Sequence, residues 1–343
     1  MKTAFGVFDH IERRSEAIDG LYEGRLKLLQ EYDTAGFYGY HVAEHHATPL
    51  GMAPSPGVFL AAASQRTRRI RLGPLVYLLP LYNPMRLASE ICMLDQLSGG
   101  RLELGVGRGV SPFELAYYGV SFMDSREIFE EALAVLVKGL RDERLQHRGK
   151  HYRFDNVPLE LRPLQRPNPP FWYGVTTPDS LMFAARHGMN MVGGGPNAVI
   201  RPMAAQYREE VRRHRGSAAD LNPGTEEPIV GALRHIYVAA DEREVETIAA
   251  PAYRVFYKNI TKLWRDFHTL PDYGFTPELA VARDADVLIV GTAGDVRDQI
   301  GRFFESTDCN YLVIAFAWGG LSQDDSMRSL ERFTTRVMPQ FGG

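Results

Sequence analysis

The sequence predicts an α/β fold, a single (β/α)8 TIM barrel, on three observations. Apolar runs of strand length alternate with helical periods about eight times along the chain. The runs are continuously apolar, not alternating, as expected of strands buried on both faces of a parallel sheet. No early Gly-x-Gly-x-x-Gly opens the chain in a nucleotide-binding arrangement, which weakens the case for an open doubly wound sheet. Eight units within 343 residues then favour one barrel domain over residues 1–343.

The elements follow in order. Residues 3–8 read as a first buried strand, closed by Asp9-His10. Leu21, Leu28, Leu29, Tyr32 and Ala35 recur at helical spacing, and Gly36 stands where that helix stops. A strand over 38–43 comes next, then a helix begun by Pro54 and Pro56 and carrying Arg66, Arg68 and Arg69 near its C-terminus, where the dipole favours them. Ile70 to Leu79 is a strand interrupted at Gly73-Pro74. A helix spans Pro84 to Leu97 and ends in Ser98-Gly99-Gly100. A strand at 101–107 runs into Arg108-Gly109, and Phe129, Leu133, Leu136 and Leu140 mark the following helix. Residues 149–168 read as a polar, Pro-rich connector. A strand at 171–175 precedes a helix from about Pro178 to His187, and a short strand ends in Gly193-Gly194-Gly195. A helix near 197–214, a strand near 229–238 and a helix from Asp241 follow. The stretch 258–286 has aromatics but no period and reads as an insertion near 258–286, a candidate lid that includes Trp264, Phe267 and Tyr273. A helix at 295–305, a strand at 311–317 and a helix near 324–337 close the chain.

Composition narrows the function classes. The formal net charge of −3, with acidic and basic residues interspersed, leaves no electrostatic footprint for nucleic acid or an anionic membrane. Cys92 and Cys309 stand far apart in apolar contexts, which suits a reduced, cytoplasmic setting. No apolar run reaches the length of a membrane span, and the start lacks the apolar core of a signal peptide.

In a barrel, chemistry gathers where strands end and βα loops begin. Glu44-His45-His46 is a carboxylate and two imidazoles at such an end. It reads equally as a hydrogen-bonded polar strand end or as the mouth of a site. Adjacent residues on an extended chain point to opposite faces, so the histidines are poor joint metal ligands, and no metal is expected. Arg108, with Gly109 and Val110 beside it, is either a tight turn or an anion contact. Thr176, Thr177 and Ser180 lie at a strand-to-helix transition, where free N–H groups and hydroxyls suit a phosphate monoester; a plain capping role for Thr177 is compatible with this. Phe8, Tyr77, Phe113, Tyr117, Tyr118, Phe316 and Trp318 fall at or after strand ends and are candidates for a substrate-pocket wall or for ordinary packing.

Taken together, Ala43-Glu44-His45-His46, the run Leu94 to Leu102, Gly105-Val106-Gly107-Arg108-Gly109 and Val337-Met338-Pro339 make the chain resemble the bacterial luciferase-like, flavin-dependent monooxygenases over nearly its whole length. The resemblance implies reduced FMN and O2 as cofactor and co-substrate, and oxygenation of a small organic substrate through a C4a-(hydro)peroxyflavin. It implies His45 as catalytic base, with Glu44 as a possible orienter and His46 as scaffold. It implies Arg108 and the Thr176, Thr177 and Ser180 turn at the phosphate, with Gly109 and Val110 approaching the cofactor. Leu75 and Val76 would form a non-proline cis peptide beneath the flavin ring. The family's glutamate in the phosphate turn is Thr176 here. A separate NAD(P)H-dependent flavin reductase and a homodimer are further implications. The alternatives are a deazaflavin-dependent hydride-transfer enzyme on the same barrel and a non-catalytic flavin-binding subunit.

Overall fold

The computed structural model describes residues 3–225, 227–270 and 276–341. Its first half contains β1 (Ala4–Asp9), α1 (Ile18–Ala35), β2 (Gly39–Val42), α2 (Pro56–Arg66), β3 (Arg71–Pro74), β4 (Tyr77–Leu78), α3 (Pro84–Leu97), β5 (Leu104–Gly107), α4 (Pro112–Tyr117) and α5 (Ser125–Arg141). There follow β6 (Arg144–Arg148), β7 (Arg153–Pro158), β8 (Phe171–Val175), α6 (Pro178–Arg186), β9 (Asn190–Gly193), α7 (Asn197–His214) and β10 (Val230–Val238). The last part holds α8 (Glu242–Glu244), α9 (Ala250–Ile260), α10 (Lys262–Asp266), α11 (Leu279–Asp284), β11 (Leu288–Gly291), α12 (Ala293–Thr307), β12 (Tyr311–Ala315) and α13 (Gln323–Arg336).

The strands form a parallel barrel. β1 pairs with β2 on one side and β12 on the other, and the order continues through β10, β9, β8 and β5 to β4. β3 and β4 are two halves of one strand, separated by Leu75 and Val76, whose peptide bond is cis. A parallel bridge between Leu72 and Leu102 ties the lower half to the strand beside it and closes the ring. The expected interruption therefore falls one step later than Gly73-Pro74. β11, which the sequence reading missed, adds parallel to the C-terminal half of β10, from His235 opposite Leu288 to Val238 opposite Gly291.

Local chemistry explains the helix boundaries. Asn83 caps α3 by accepting from the N–H groups of Met85 and Arg86, with Pro84 at the first helical position. α1 ends at Gly36, whose φ of 85° a side chain would resist. The main core lies between the ring and its helices; in α5, Phe129, Leu133, Leu136 and Leu140 are buried along one face. Each such side chain contributes about 1.5–3 kcal/mol by leaving water. A second core joins β10 and β11 to α9 and α11, so part of 258–286 is packed structure. Tyr273 of that stretch lies outside the described residues. The connector read at 149–168 includes an arm of an antiparallel hairpin, β6–β7. None of the described helices is long and apolar enough to cross a membrane.

Inside the ring, Phe8, Ala43, Leu75, Trp172, Val192, Tyr311 and Val313 form a separate apolar plug. Below it, near the N-terminal strand ends, buried Glu103 accepts hydrogen bonds from Arg71, the Trp172 indole and the Tyr38 hydroxyl. His41 of β2 points into the ring and bonds the Tyr311 hydroxyl at 3.0 Å. Charge is thus satisfied at the floor, and the C-terminal strand ends are left to form a site.

Candidate active site

One cavity, of about 220 Å³, brings most of the expected residues together. Its lining includes Phe8, Glu44, His45, Leu75, Val76, Arg108, Gly109, Val110, Thr176, Thr177 and Ser180. These come from the ends of β1, β2, the broken third strand, β5 and β8, all at the C-terminal face of the barrel.

The Glu-His-His cluster divides its labour differently from the expectation. Glu44 does not orient His45. Its Oε1 lies 2.9 Å from His46 Nε2, and its Oε2 accepts from the Leu78 N–H and the Tyr82 hydroxyl, each at 3.0 Å. Burial raises the Glu44 carboxyl above its usual range, opposed by these hydrogen bonds. His46 is held from its other side by the Tyr118 hydroxyl, 2.8 Å from Nδ1. The group that orients His45 is Glu114, on α4: its Oε1 lies 3.1 Å from His45 Nδ1 and accepts from the His46 backbone N–H at 2.7 Å. Burial pushes the Glu114 carboxyl up, but the hydrogen bonds from His45 and His46 and the charge of the two imidazoles bring it below the usual value. With Glu114 ionised, Nδ1 of His45 donates to it, and Nε2 is the ring nitrogen left to meet a ligand. The His45 side chain is 25% exposed, enough for a ligand to reach it.

The far end of the cavity carries two arginines, Arg108 and Arg126, and two carboxylates, Glu130 and Asp179. The Arg108 guanidinium stacks 4.6 Å over the Phe122 ring and makes no ion pair among the described residues. Arg126 also lines the cavity, 3.6 Å from Asp179, and the sequence reading missed it. Gly109 follows with a φ of 90°, the turn that returns the chain over the cavity. At α6, Thr177 and Ser180 form a reciprocal cap. Ser180 N–H donates to Thr177 Oγ1 at 3.2 Å, and Ser180 Oγ accepts from the N–H groups of Thr176 and Thr177. The Ser180 hydroxyl hydrogen is spent on Thr177 O at 2.7 Å. The capping role is thus realised, and Arg108, Arg126 and the helix N-terminus supply the positive potential. A Cβ at Gly174 would meet nothing within 4 Å, and the residue lines the cavity, so the opening there is free for a planar ligand. Unpaired Arg108 beside the helix N-terminus, an apolar floor of Leu75 and Val76 and this open glycine are features that would suit a phosphate-bearing flavin.

Some expected pocket residues go elsewhere. Tyr77 is fully buried on the opposite face of its strand from Val76 and Leu78, and its hydroxyl donates to Glu90 at 2.8 Å. Trp318 is buried in the second core, with its indole donating to Ile236 O at 3.1 Å. Phe316 packs in the main core against Tyr32, Phe37 and Phe333. Tyr117 is exposed on the outside of α4. Phe113 stacks on Phe267 with centroids 4.2 Å apart, and so joins α4 to the insertion. Two histidines that the sequence did not flag also lie near the site: His10 beside His45, and His235 beside His10.

The family model for the luciferase-like monooxygenases matches residues 3–308. The chain is 39% identical to the uncharacterized protein y4wF of Sinorhizobium fredii, over 99% of this chain and 98% of that one. It is 29% identical to the oxygenase component of the flavin-dependent trigonelline monooxygenase of Acinetobacter baylyi, over 98% of this chain and 95% of that protein. In structure it resembles the oxygenating constituent of 3,6-diketocamphane monooxygenase of Pseudomonas putida in complex with FMN. There the TM-score is 0.82 and the identity 22%, with 99% of each chain covered.

Proposed function

The chain belongs to the luciferase-like monooxygenase family, and from that premise we propose that it is an FMNH2-dependent monooxygenase acting on a small organic substrate. One observation carries the reading: a single cavity has unpaired Arg108 at one end and Glu114-oriented His45 at the other, with the Leu75–Val76 floor between. Arg108 and Arg126, with the capped N-terminus of α6, would hold the phosphate by charge-assisted hydrogen bonds. Gly109, Val110, Leu75, Val76 and Gly174 would bound the ring system, and Phe8 would close the substrate side. Reduced FMN, when bound, supplies the activation of O2. His45 takes or returns a proton at Nε2, with Glu114 fixing the ring and stabilising its charged form. Glu44 and His46 hold the strand end in place. The buried walls exclude water from the reacting atoms.

A relative that is an oxygenase component supports a separate NAD(P)H-dependent flavin reductase as partner. Exposed Val58, Met93 and Leu97 on the adjoining helices α2 and α3 support a homodimer. Two free, buried thiols, Cys92 and Cys309, support a cytoplasmic setting.

The test is direct. Photoreduced FMN bound to the chain and mixed with oxygen should reoxidise more slowly than free FMN, followed by stopped-flow absorbance. Reoxidation at the free rate, or tighter binding of a reduced deazaflavin than of reduced FMN, would overturn the proposal.

A further inference from the structure

We infer that His10 and His235 form a substrate-recognition pair beside His45, built to hydrogen-bond an uncharged oxygen function, a carbonyl or hydroxyl, on an otherwise apolar substrate. The inference rests on the active-site reading above and extends it to the substrate's polar group. His10 follows directly on β1 and His235 lies within β10, so the barrel brings together residues more than two hundred positions apart. Their rings are nearly parallel, 9° apart in plane with centroids 6.4 Å apart, and His10 lies 5.6 Å from His45. The walls are aromatic: Phe8 meets His10 edge-on at 4.8 Å, Phe256 packs on His235 at 4.1 Å, and Trp318 meets His235 edge-on at 5.8 Å.

The hydrogen-bond inventory points to a ligand. His10 is 7% exposed and His235 8%. The Nε2 atom of His235 is enclosed without a hydrogen-bond partner, and the His10 ring makes no hydrogen bond among the described residues. Close by, Glu44, His46 and Glu114 each hold two or more partners. Buried polar groups are normally satisfied, and among these neighbours the deficit falls on His10 and His235. Enclosed atoms without a partner also occur elsewhere, among them His41 Nδ1, Arg234 Nε and Ser306 Oγ, but the His41 ring is wholly buried, whereas His10 and His235 each keep a small exposed edge.

The chemistry of the partner follows from charge. Burial holds His10 well below its ordinary value, with the charges of His45 and His235 adding to the effect, and burial pushes His235 down to about 3. Both rings are therefore neutral near pH 7, each with one donor and one acceptor. The charged groups around them are otherwise engaged. The Arg234 guanidinium bonds Asn197 and faces Phe303, and Glu12, after β1, accepts from Asn259 and the Gly319 N–H. Among the described residues no three His, Cys, Asp or Glu side chains are arranged to hold a metal ion. Two neutral imidazoles between aromatic walls compensate neither a carboxylate nor an ammonium, but they satisfy a carbonyl or a hydroxyl.

The experiment uses the flavin-free chain, with phenol, cyclohexanone, benzene and benzoate as probes. Phenol and cyclohexanone should move the ring-nitrogen resonances of His10 and His235 in ¹⁵N spectra as hydrogen bonds form, and benzene should not. His10→Phe and His235→Phe keep the aromatic packing. Each should weaken phenol and cyclohexanone binding at least tenfold while leaving benzene binding and FMN fluorescence quenching unchanged. Equal losses for benzene and phenol would assign the pair a packing role and overturn the inference, as would benzoate binding tighter than phenol or unmoved ring nitrogens. A wild-type chain that fails to quench FMN would instead sink the flavin reading and leave the probe titrations interpretable.

Discussion

At the scale of single residues, His45 is distinguished from His46 by what its ring nitrogens touch. Nδ1 of His45 meets Glu114 and its side chain is partly open, whereas both ring nitrogens of His46 are held by Glu44 and Tyr118. His45→Ala is therefore expected to bind FMN within about twofold of wild type in fluorescence titration, and to lose roughly 10²-fold or more in coupled turnover. Glu114→Gln removes the acceptor charge, so kcat should fall by more than tenfold with little change in FMN affinity. It also carries a pH signature. The folded-state value of Glu114 is depressed, so its contribution to stability is fully present above the unfolded value near 4.5 and is lost as the pH falls through the lower folded value. Thermal melts between pH 7 and pH 3 should show wild type losing an advantage over the glutamine variant on acidification; parallel curves would refute the coupling. His45 and Arg108 could be singled out as candidates because each sits in a run of unusual residues. Glu114 was not, since it is 69 positions from His45 in an ordinary-looking Phe-Glu-Leu. His10 and His235 look like any isolated histidine until the barrel closes.

Among the elements, those with an apolar period were readable and those without one were not. The helices with buried stripes or clear caps fell near their expected bounds, as α3 did over Pro84–Leu97. The β7 arm of the hairpin fell within the stretch read as a connector, 149–168, because its residues are exposed or half-buried and carry no buried face. β11 escaped because four residues, Leu-Ile-Val-Gly, next to a helix start are too short a signal. The loops that frame the site are tied together by Glu12, fully buried after β1, which bonds Asn259 at the end of α9 and the Gly319 N–H after β12. Burial raises its carboxyl from 4.5 to about 7. An acid raised in this way binds its proton first in the folded state. Stability from this group therefore rises as the pH drops from 7 toward 4.5, and the penalty is fully present above pH 7. The shift corresponds to about 3 kcal/mol at most. Glu12→Gln should remove this pH dependence, so urea midpoints at pH 5 and pH 8 should lie closer together in the variant than in wild type.

For the whole molecule, the barrel separates stability from chemistry by its two ends. The sequence showed this division only in part. The alternation of strands and helices was visible, as was the cluster of polar residues at the upper strand ends, but the ionic floor was not. Glu103 and Arg71 lie within apolar runs, and nothing in their neighbours says that the chain will pair them and bring Glu103 to Trp172 and Tyr38 inside the ring. The arrangement makes a paired prediction. Arg71→Ala leaves the Glu103 carboxylate buried without its cation, which costs about 3 kcal/mol of folding stability, while the upper cavity is untouched. Arg108→Ala does the reverse: it removes a cation that has no protein partner to strand, so the melt should barely move, while FMN affinity falls roughly 10–100-fold with the loss of a charge-assisted contact. Denaturant melts and FMN titrations on both variants, run below the melting range, give a two-by-two result. Only a crossed pattern, with the lower substitution altering stability alone and the upper one affinity alone, agrees with a barrel whose charge is structural at the floor and functional at the mouth.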